Sequence, residues 1–323
     1  MWEEFPALRA ELDILEQSLR EEFCARKSAG AYLDGLSLRV IGSGGKRLRP
    51  AMTIASAMMG IYDSPRAQRA ARSIELLHTA TLVHDDIIDD AQTRRGVPTL
   101  SSTEGLHAAI FAGDYMYVKS ILALAESGLP VEYLRDIARA VEAVCVGEAE
   151  QYRGRGSIPG FKTYVSRASR KTGVLFAAAC AMGAHIGGLP EAAARQAGRF
   201  GGYFGIAFQI KDDLLDITGT VKSIGKPVGN DLKEGVVTLP VLLAAARSSS
   251  VRAHAEALLR RGHITAGQIS ALLGEVIDAG GADEAQTVMT QYVLRAERAL
   301  DKLPASPGRD MLTAMLRAAY AKE

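Results

Sequence analysis

Two short acidic clusters carry the strongest chemical signal in this sequence: Asp85, Asp86 and Asp89 in DDIID, and Asp212, Asp213 and Asp216 in DDLLD. Each lies in an otherwise apolar, helix-patterned stretch, where a carboxylate without a partner is costly to desolvate. A cation must therefore be close by. At about 3.6 residues per turn, the first and last aspartates of each cluster share one helix face and can grip a hard cation together. Oxygen donors with no Cys or His at ligand spacing select Mg²⁺ or Mn²⁺ over zinc. Mg²⁺ typically binds one or two carboxylates and completes its shell with water and substrate phosphates. The implied substrate bears phosphate. A lone DDxxD is more often a solvated helix end, but two copies in matching apolar settings argue for a metal function.

Basic residues supply the counterpart. Lys46, Arg47 and Arg49 in GGKRLRP sit on a Gly-rich turn entering a helix, where backbone N–H groups and forked Arg donors suit a phosphate. Arg94 and Arg95 follow the first acidic cluster within one loop, and a third group is spread over Lys171 with Thr172, Gln209 with Lys211, and Lys226 in GKPVGNDLKEG. The joint pattern is far more specific than either half.

The elements that must carry these groups are helical. Apolar periodicity predicts helices over 4–28, 47–61, 66–90, 105–127, 131–153, 160–186 with a break near Thr172 and Gly173, 190–217, 238–247, 252–262, 266–279, 283–302 and 307–321. There is no convincing alternating β segment. Both acidic clusters fall near the ends of long apolar runs, so two helices ending side by side would aim them into one cavity. Gly and Pro punctuate the joints without a flexible interdomain linker, and the expectation is one all-α domain over 1–323, a large helical bundle around a central cavity.

Composition narrows the setting. A chain of 323 residues that is 48% hydrophobic can bury a large core. A formal net charge of +1 removes any global electrostatic case for nucleic acid or an anionic membrane surface. Cys24, Cys145 and Cys180 show no paired spacing and read as reduced core or near-core residues of a cytoplasmic protein. The acidic, amphipathic N-terminal stretch does not read as a signal peptide. The least polar stretch, from Gly173 to Pro190, reads as a buried central helix rather than a membrane span.

In this order, GGKRLRP, LVHDDIIDDAQTRRGVPT, GDYMYVKS, GEAEQ, RKTGVLF, FQIKDDLLD and GKPVGNDLKEG resemble the trans-isoprenyl diphosphate synthase, or polyprenyl synthetase, family over residues 40–240. The resemblance implies the isoprenoid synthase fold and head-to-tail addition of isopentenyl diphosphate to an allylic diphosphate. It implies about three Mg²⁺ ions held by Asp85, Asp86, Asp89, Asp212, Asp213 and Asp216. Arg94, Lys171, Thr172, Gln209 and Lys226 would contact the allylic diphosphate, while Lys46, Arg49, His78 and Arg95 would hold isopentenyl diphosphate. His84 would support the first cluster, and Asp114, Glu148 and Gln151 would be its neighbours. Val236 departs from the family, which often carries Lys there.

Product length in the family depends on the fourth and fifth positions before the first cluster, here Thr81 and Ala80. Both are small where short-chain enzymes commonly place an aromatic residue, which implies an all-trans product of about thirty to fifty carbons, usable as a quinone side chain. Tyr117, Ile121 and Val144 are candidate deeper walls. The resemblance is strongest to medium- and long-chain enzymes such as the catalytic subunit of heptaprenyl diphosphate synthase. It implies a dimer, a homodimer or one needing a small noncatalytic partner, with at most peripheral membrane contact. A short-chain farnesyl or geranylgeranyl synthase, or a subunit of a heteromeric synthase, remain the alternatives. A class I terpene cyclase fits less well, because GGKRLRP would then have no second diphosphate to anchor.

Overall fold

A computed structural model describes residues 4–24, 30–219, 228–261 and 264–320, so Lys226 lies outside the described residues. Helices dominate, as the periodicity predicts: α1 (Pro6–Glu21), α2 (Ala31–Gly42), α3 (Leu48–Ala57), α4 (Ser64–Ile88), α5 (Leu100–Glu104), α6 (Leu106–Ala125), α7 (Val131–Arg153), α8 (Phe161–Ala168), α9 (Val174–Ile186) and α10 (Glu191–Thr218). They are followed by α11 (Asn230–Lys233), α12 (Leu239–Arg247), α13 (Ser249–Leu259), α14 (Ala266–Asp278), α15 (Gly281–Leu300) and α16 (Pro307–Tyr320). Backbone packing divides the chain into two compact units, one of Met1–Ile137, Leu175–Gly201 and Ala299–Glu323, the other of Ala138–Val174 and Gly202–Arg298.

In the first unit α4 is the carrier of the site. Asp63 caps its N-terminus by accepting from Arg66 N at 3.2 Å, with Pro at the first turn to preset the backbone. A run of small residues, Ala67, Ala70, Ala71 and Ala80, is buried along it, which lets α6 pack closely against its length. At Gly113 on α6 an added Cβ would stand 2.3 Å from His84 Nε2, so a larger residue there would displace the imidazole. α4 ends at Ile88, Asp89 serves as its C-cap, and Asp90 turns the chain through the left-handed region at φ 46°.

The sequence expectation passes over the short helices α5 and α11, and over two further elements. α2 is a helix that periodicity passed over, because Gly35 and Ser37 interrupt its apolar stripe; the structure pins it through Tyr115 Oη, which donates to the buried Asp34 at 2.9 Å. Between α4 and α5, Thr93–Arg94 and Val97–Pro98 pair as a minimal antiparallel hairpin. Its turn residues, Arg95 at φ 53° and Gly96 at φ 77°, have the two positive φ values of a type I′ turn. Two-residue strands are too short to show a period.

In the second unit the expected break at Thr172 and Gly173 is a π-helical turn, Ser169–Gly173, joining α8 to α9. Such turns widen the backbone spiral and are frequent at functional sites. α9 is buried along most of its length, as its Ala-rich sequence predicts. The cysteines divide: Cys180 is buried in α9, whereas Cys24 and Cys145 are exposed rather than part of the core. Among the described residues one helix, α6, is long and apolar enough to cross a membrane by length and composition.

Candidate active site

The first unit assembles an arginine-rich cluster around His78. Arg49 Nη1 lies 3.0 Å from His78 Nε2, and its guanidinium stacks 4.2 Å over the Phe176 ring. Because a guanidinium can only donate, Nε2 must accept and the imidazole proton sits on Nδ1. Burial, followed by Arg49, Arg95, Arg94 and Arg47, pushes the His78 pKa well below its ordinary range. His78 is therefore neutral at pH 7, and it orients Arg49 without adding to the local charge.

Arg95 arrives from the hairpin turn. Its Nη1 donates to Gly44 O, and the guanidinium lies against Gly45, where a Cβ would sit 2.8 Å from Nη1. Glycine at position 45, with φ +155°, is what admits it. Lys46 is exposed beside this turn. Three non-glycine residues among those described have positive φ, namely Arg47, Asp90 and Arg95, and all three border this region. That conformation is uncommon for side-chain-bearing residues and tends to be retained where geometry matters for function.

Arg47 departs from the expectation that it would face a phosphate. Nε and Nη1 bond Glu16 Oε1 and Glu75 Oε1, each at 2.6 Å, and Nη2 bonds Ile41 O at 2.9 Å. Its side chain is 7% exposed and that of Glu75 6%. Two carboxylates and a carbonyl thus saturate it, and it braces the Gly-rich turn from below.

The first aspartate cluster lies at the end of the same helix that carries His78. Asp86 is buried and accepts from Arg94 Nε at 2.7 Å, while Asp85 and Asp89 are half-buried. His84, next to Asp85 in the sequence, holds its Nε2 3.4 Å from Asp114 Oδ1 on α6. One turn back, Ala80 is 2% exposed, and Thr81 turns its hydroxyl onto His78 O at 2.8 Å. Among the proposed deeper walls, Val144 is buried and Tyr117 half-buried, but Ile121 is 41% exposed and does not line an enclosed wall.

The second unit holds the other cluster near the end of α10. Asp212 is exposed and Asp216 half-buried, but Asp213 is 3% exposed. Asp213 Oδ1 accepts from Gln209 Nε2 at 3.0 Å, and Oδ2 accepts from Tyr164 Oη at 2.6 Å and from Leu239 N at 3.2 Å. Both oxygens of this expected metal ligand are committed to protein donors. Gln209 Oε1 in turn accepts from Thr172 Oγ1 at 2.7 Å, and Lys171 Nζ pairs with Glu148 Oε1 at 2.7 Å. Lys171, Thr172 and Gln209 are thereby brought together, with Gln151 nearby. A small cavity of about 50 Å³ opens among Gln151, Tyr164, Lys171, Gln209, Asp213 and Asp231, with the apolar Val236 in its wall.

Acidic charge accumulates here. Burial pushes the Asp216 carboxyl up to about 6, against hydrogen bonds from the Asn230, Asp231 and Gly229 backbones, and Asp213 adds to the rise. Asp231 is raised well above the carboxylate range by burial and by Asp216 and Asp213, with Lys171 opposing. Asp231, Tyr164 and the Glu16–Glu75 pair were missed in the sequence. Tyr164 had a detectable signal, standing seven residues before Lys171, two helical turns away.

Among the described residues no three His, Cys, Asp or Glu side chains form a ready-made metal cage. The donor chemistry nevertheless fits Mg²⁺, which takes few protein carboxylates and completes its shell with phosphate and water. The acidic charge gathered at Asp216 and Asp231, each raised by burial and by neighbouring carboxylates, is the matching observation.

Residues 31–276 match the polyprenyl synthetase family. The chain belongs to that family. It is 36% identical to heptaprenyl diphosphate synthase component 2 of Geobacillus stearothermophilus, covering 92% of this chain and 90% of the relative. To the geranylgeranyl diphosphate synthase of Sulfolobus acidocaldarius it is 41% identical, over 64% of each chain. The crystal structure of heptaprenyl diphosphate synthase from Staphylococcus aureus superimposes with a TM-score of 0.91 at 30% identity, covering 97% of both chains. This polyprenyl synthetase therefore has the all-α isoprenoid synthase fold and is a trans-prenyltransferase.

Proposed function

We propose that this prenyltransferase acts as one catalytic domain over 1–323, extending an allylic diphosphate with isopentenyl diphosphate to an all-trans product of about thirty to fifty carbons for a quinone side chain. The observation that carries the reading is the cluster of Arg49, Arg94 and Arg95 around His78, which lies on the helix that also carries Asp85 and Asp86 and is capped by Asp89. It provides cationic donors for one diphosphate next to carboxylates suited to the counter-ions of another.

Carbon–oxygen ionisation of an allylic diphosphate gives an allylic cation and a pyrophosphate anion one charge more negative than the ester, and that charge must be met as it develops. Mg²⁺, about three ions with Mn²⁺ able to substitute, would supply that neutralisation from Asp85, Asp86, Asp89, Asp212 and Asp216. Lys171, Thr172, Gln209, Arg94 and Lys226 orient the allylic diphosphate, and Lys46, Arg49, Arg95 and neutral His78 hold isopentenyl diphosphate. Holding two anions by separate donor sets while their hydrocarbon ends meet is catalysis by positioning. Ala80 and Thr81 leave space for a growing chain, and the relatives named as heptaprenyl synthases support the longer product. The geranylgeranyl relative keeps a shorter product as the second reading.

Exposed Phe111, Val118 and Leu122 recur along one side of α6 and suit a second copy of the chain, giving a homodimer in the cytoplasm. A heteromer with a small noncatalytic partner is the alternative raised by the component 2 relative. The roles of the clusters are tested with Asp85→Asn and Asp212→Asn. Each lowers kcat at least about a hundredfold at unchanged thermal stability; activity within a few-fold of the parent would remove the carboxylates from the reaction.

A further inference from the structure

We propose that Tyr164 is a positioning residue for the allylic-diphosphate part of the site and acts through Asp213; this rests on the assignment of Lys171, Thr172 and Gln209 to that diphosphate. Tyr164 is 2% exposed on α8, and its hydroxyl reaches Asp213 Oδ2 at 2.6 Å. That is the short distance of a phenol donating to a carboxylate. The Leu239 amide shares this oxygen at 3.2 Å, and Gln209 holds the other at 3.0 Å.

Asp213 is thus the point where three segments are tied to α10: α8 through Tyr164, the start of α12 through Leu239, and, through Gln209, the π-helical turn at Thr172. The tie at Gln209 is directional. With its amide nitrogen on Asp213, the amide oxygen must face Thr172, where it accepts at 2.7 Å. Swapping the two amide atoms would oppose two acceptors at Asp213. The linkage therefore sets the register between the turn carrying Lys171 and the end of α10 carrying Asp212 and Asp216.

Without the Tyr164 hydroxyl, Asp213 loses its shortest bond in a buried setting and turns towards whatever cation or water it can reach. Gln209 and the π-helical turn then lose their common anchor. Tyr164 acts through Asp213 on the Lys171, Thr172 and Gln209 side of the site, so its effect should fall on one substrate and not the other.

The test compares the full-length protein with Tyr164→Phe, Asp213→Asn and the double variant. Farnesyl diphosphate binding is followed by calorimetry in Mg²⁺, and KM is measured for both substrates. Tyr164→Phe should weaken farnesyl diphosphate binding and raise its KM by about tenfold to a hundredfold, the range of a hydrogen bond to a charged group. KM for isopentenyl diphosphate should stay within about twofold. In the Asp213→Asn background the same change should add no further loss, because its path is already cut.

Parent-like farnesyl diphosphate binding by Tyr164→Phe would overturn the proposal, as would equal losses for both substrates or fully additive losses in the double variant. If Tyr164→Phe does not fold, Asp213→Asn alone decides. Raised allylic KM with an unchanged Mg²⁺ half-activation supports the anchor, and a raised Mg²⁺ requirement makes Asp213 a ligand and overturns it. Absence of turnover in the parent protein would count against the reaction assignment, while the calorimetric comparison still judges Tyr164.

Discussion

Replacing Arg47 by Met should destabilise the first unit by about 3–5 kcal/mol, the typical cost of removing one partner of a buried ion pair. The reasoning is local. Glu75 is 6% exposed on its side chain and faces Arg47 Nη1 at 2.6 Å, so without Arg47 its charge is left in a low-dielectric interior. Glu16 is 35% exposed, so water can replace its share of the guanidinium. Ile41 O loses one donor, a smaller cost of about 1 kcal/mol that lies within the same range. Urea unfolding, followed by circular dichroism, reads the loss as a drop in midpoint at unchanged slope. Coupling Arg47→Met with Glu75→Leu removes the stranded charge and should recover most of the stability. The Gly44–Arg49 turn should still be disturbed in the double variant, raising KM for isopentenyl diphosphate. A single-variant cost below about 1 kcal/mol, or a double variant no more stable than the single, would refute the bracing role.

Ala80→Phe with Thr81→Phe should shorten the product towards fifteen or twenty carbons, read by chromatography after dephosphorylation. Unchanged length would remove these positions from the tunnel. His78, with its pKa depressed in the folded state, should make stability fall as pH drops below the unfolded value of about 6.5, since the unfolded chain then binds the proton more readily. His78→Gln should flatten that part of the stability profile between about pH 5 and 7, and an unaltered profile would contradict the neutral, buried assignment. Val236→Lys places an ammonium by the cavity shared with Asp213 and Asp231 and should lower KM for the allylic diphosphate about threefold to tenfold. An unchanged or raised KM would show that the cavity does not communicate with that substrate.

Much of the site is legible in the sequence, for identifiable reasons. The aspartate clusters stand out because charge in an apolar helical run demands explanation, and the Lys171–Thr172 break appears as a Gly-marked interruption in period. What sequence could not supply was the partner of each charge. Arg47 reads the same as Arg49 in GGKRLRP, yet Glu16 and Glu75, 31 and 28 residues away, claim one and not the other. Asp213 likewise reads as the twin of Asp212 until Tyr164, 49 residues away, takes its oxygen. Secondary structure was missed where it was shortest or most interrupted, in the hairpin around Arg95 and in α2. Ile121 looked like a tunnel wall because an apolar residue on an apolar helix carries no mark of which side faces the core.

The most direct measurement is the product formed by the purified chain alone from labelled isopentenyl diphosphate and farnesyl diphosphate, with and without Mg²⁺, resolved by length after dephosphorylation. The account predicts strictly Mg²⁺-dependent elongation to one dominant all-trans product of about thirty or more carbons. Elongation that stops at fifteen or twenty carbons would contradict the open tunnel at Ala80 and Thr81, and elongation undiminished by metal removal would contradict the role of the two aspartate clusters.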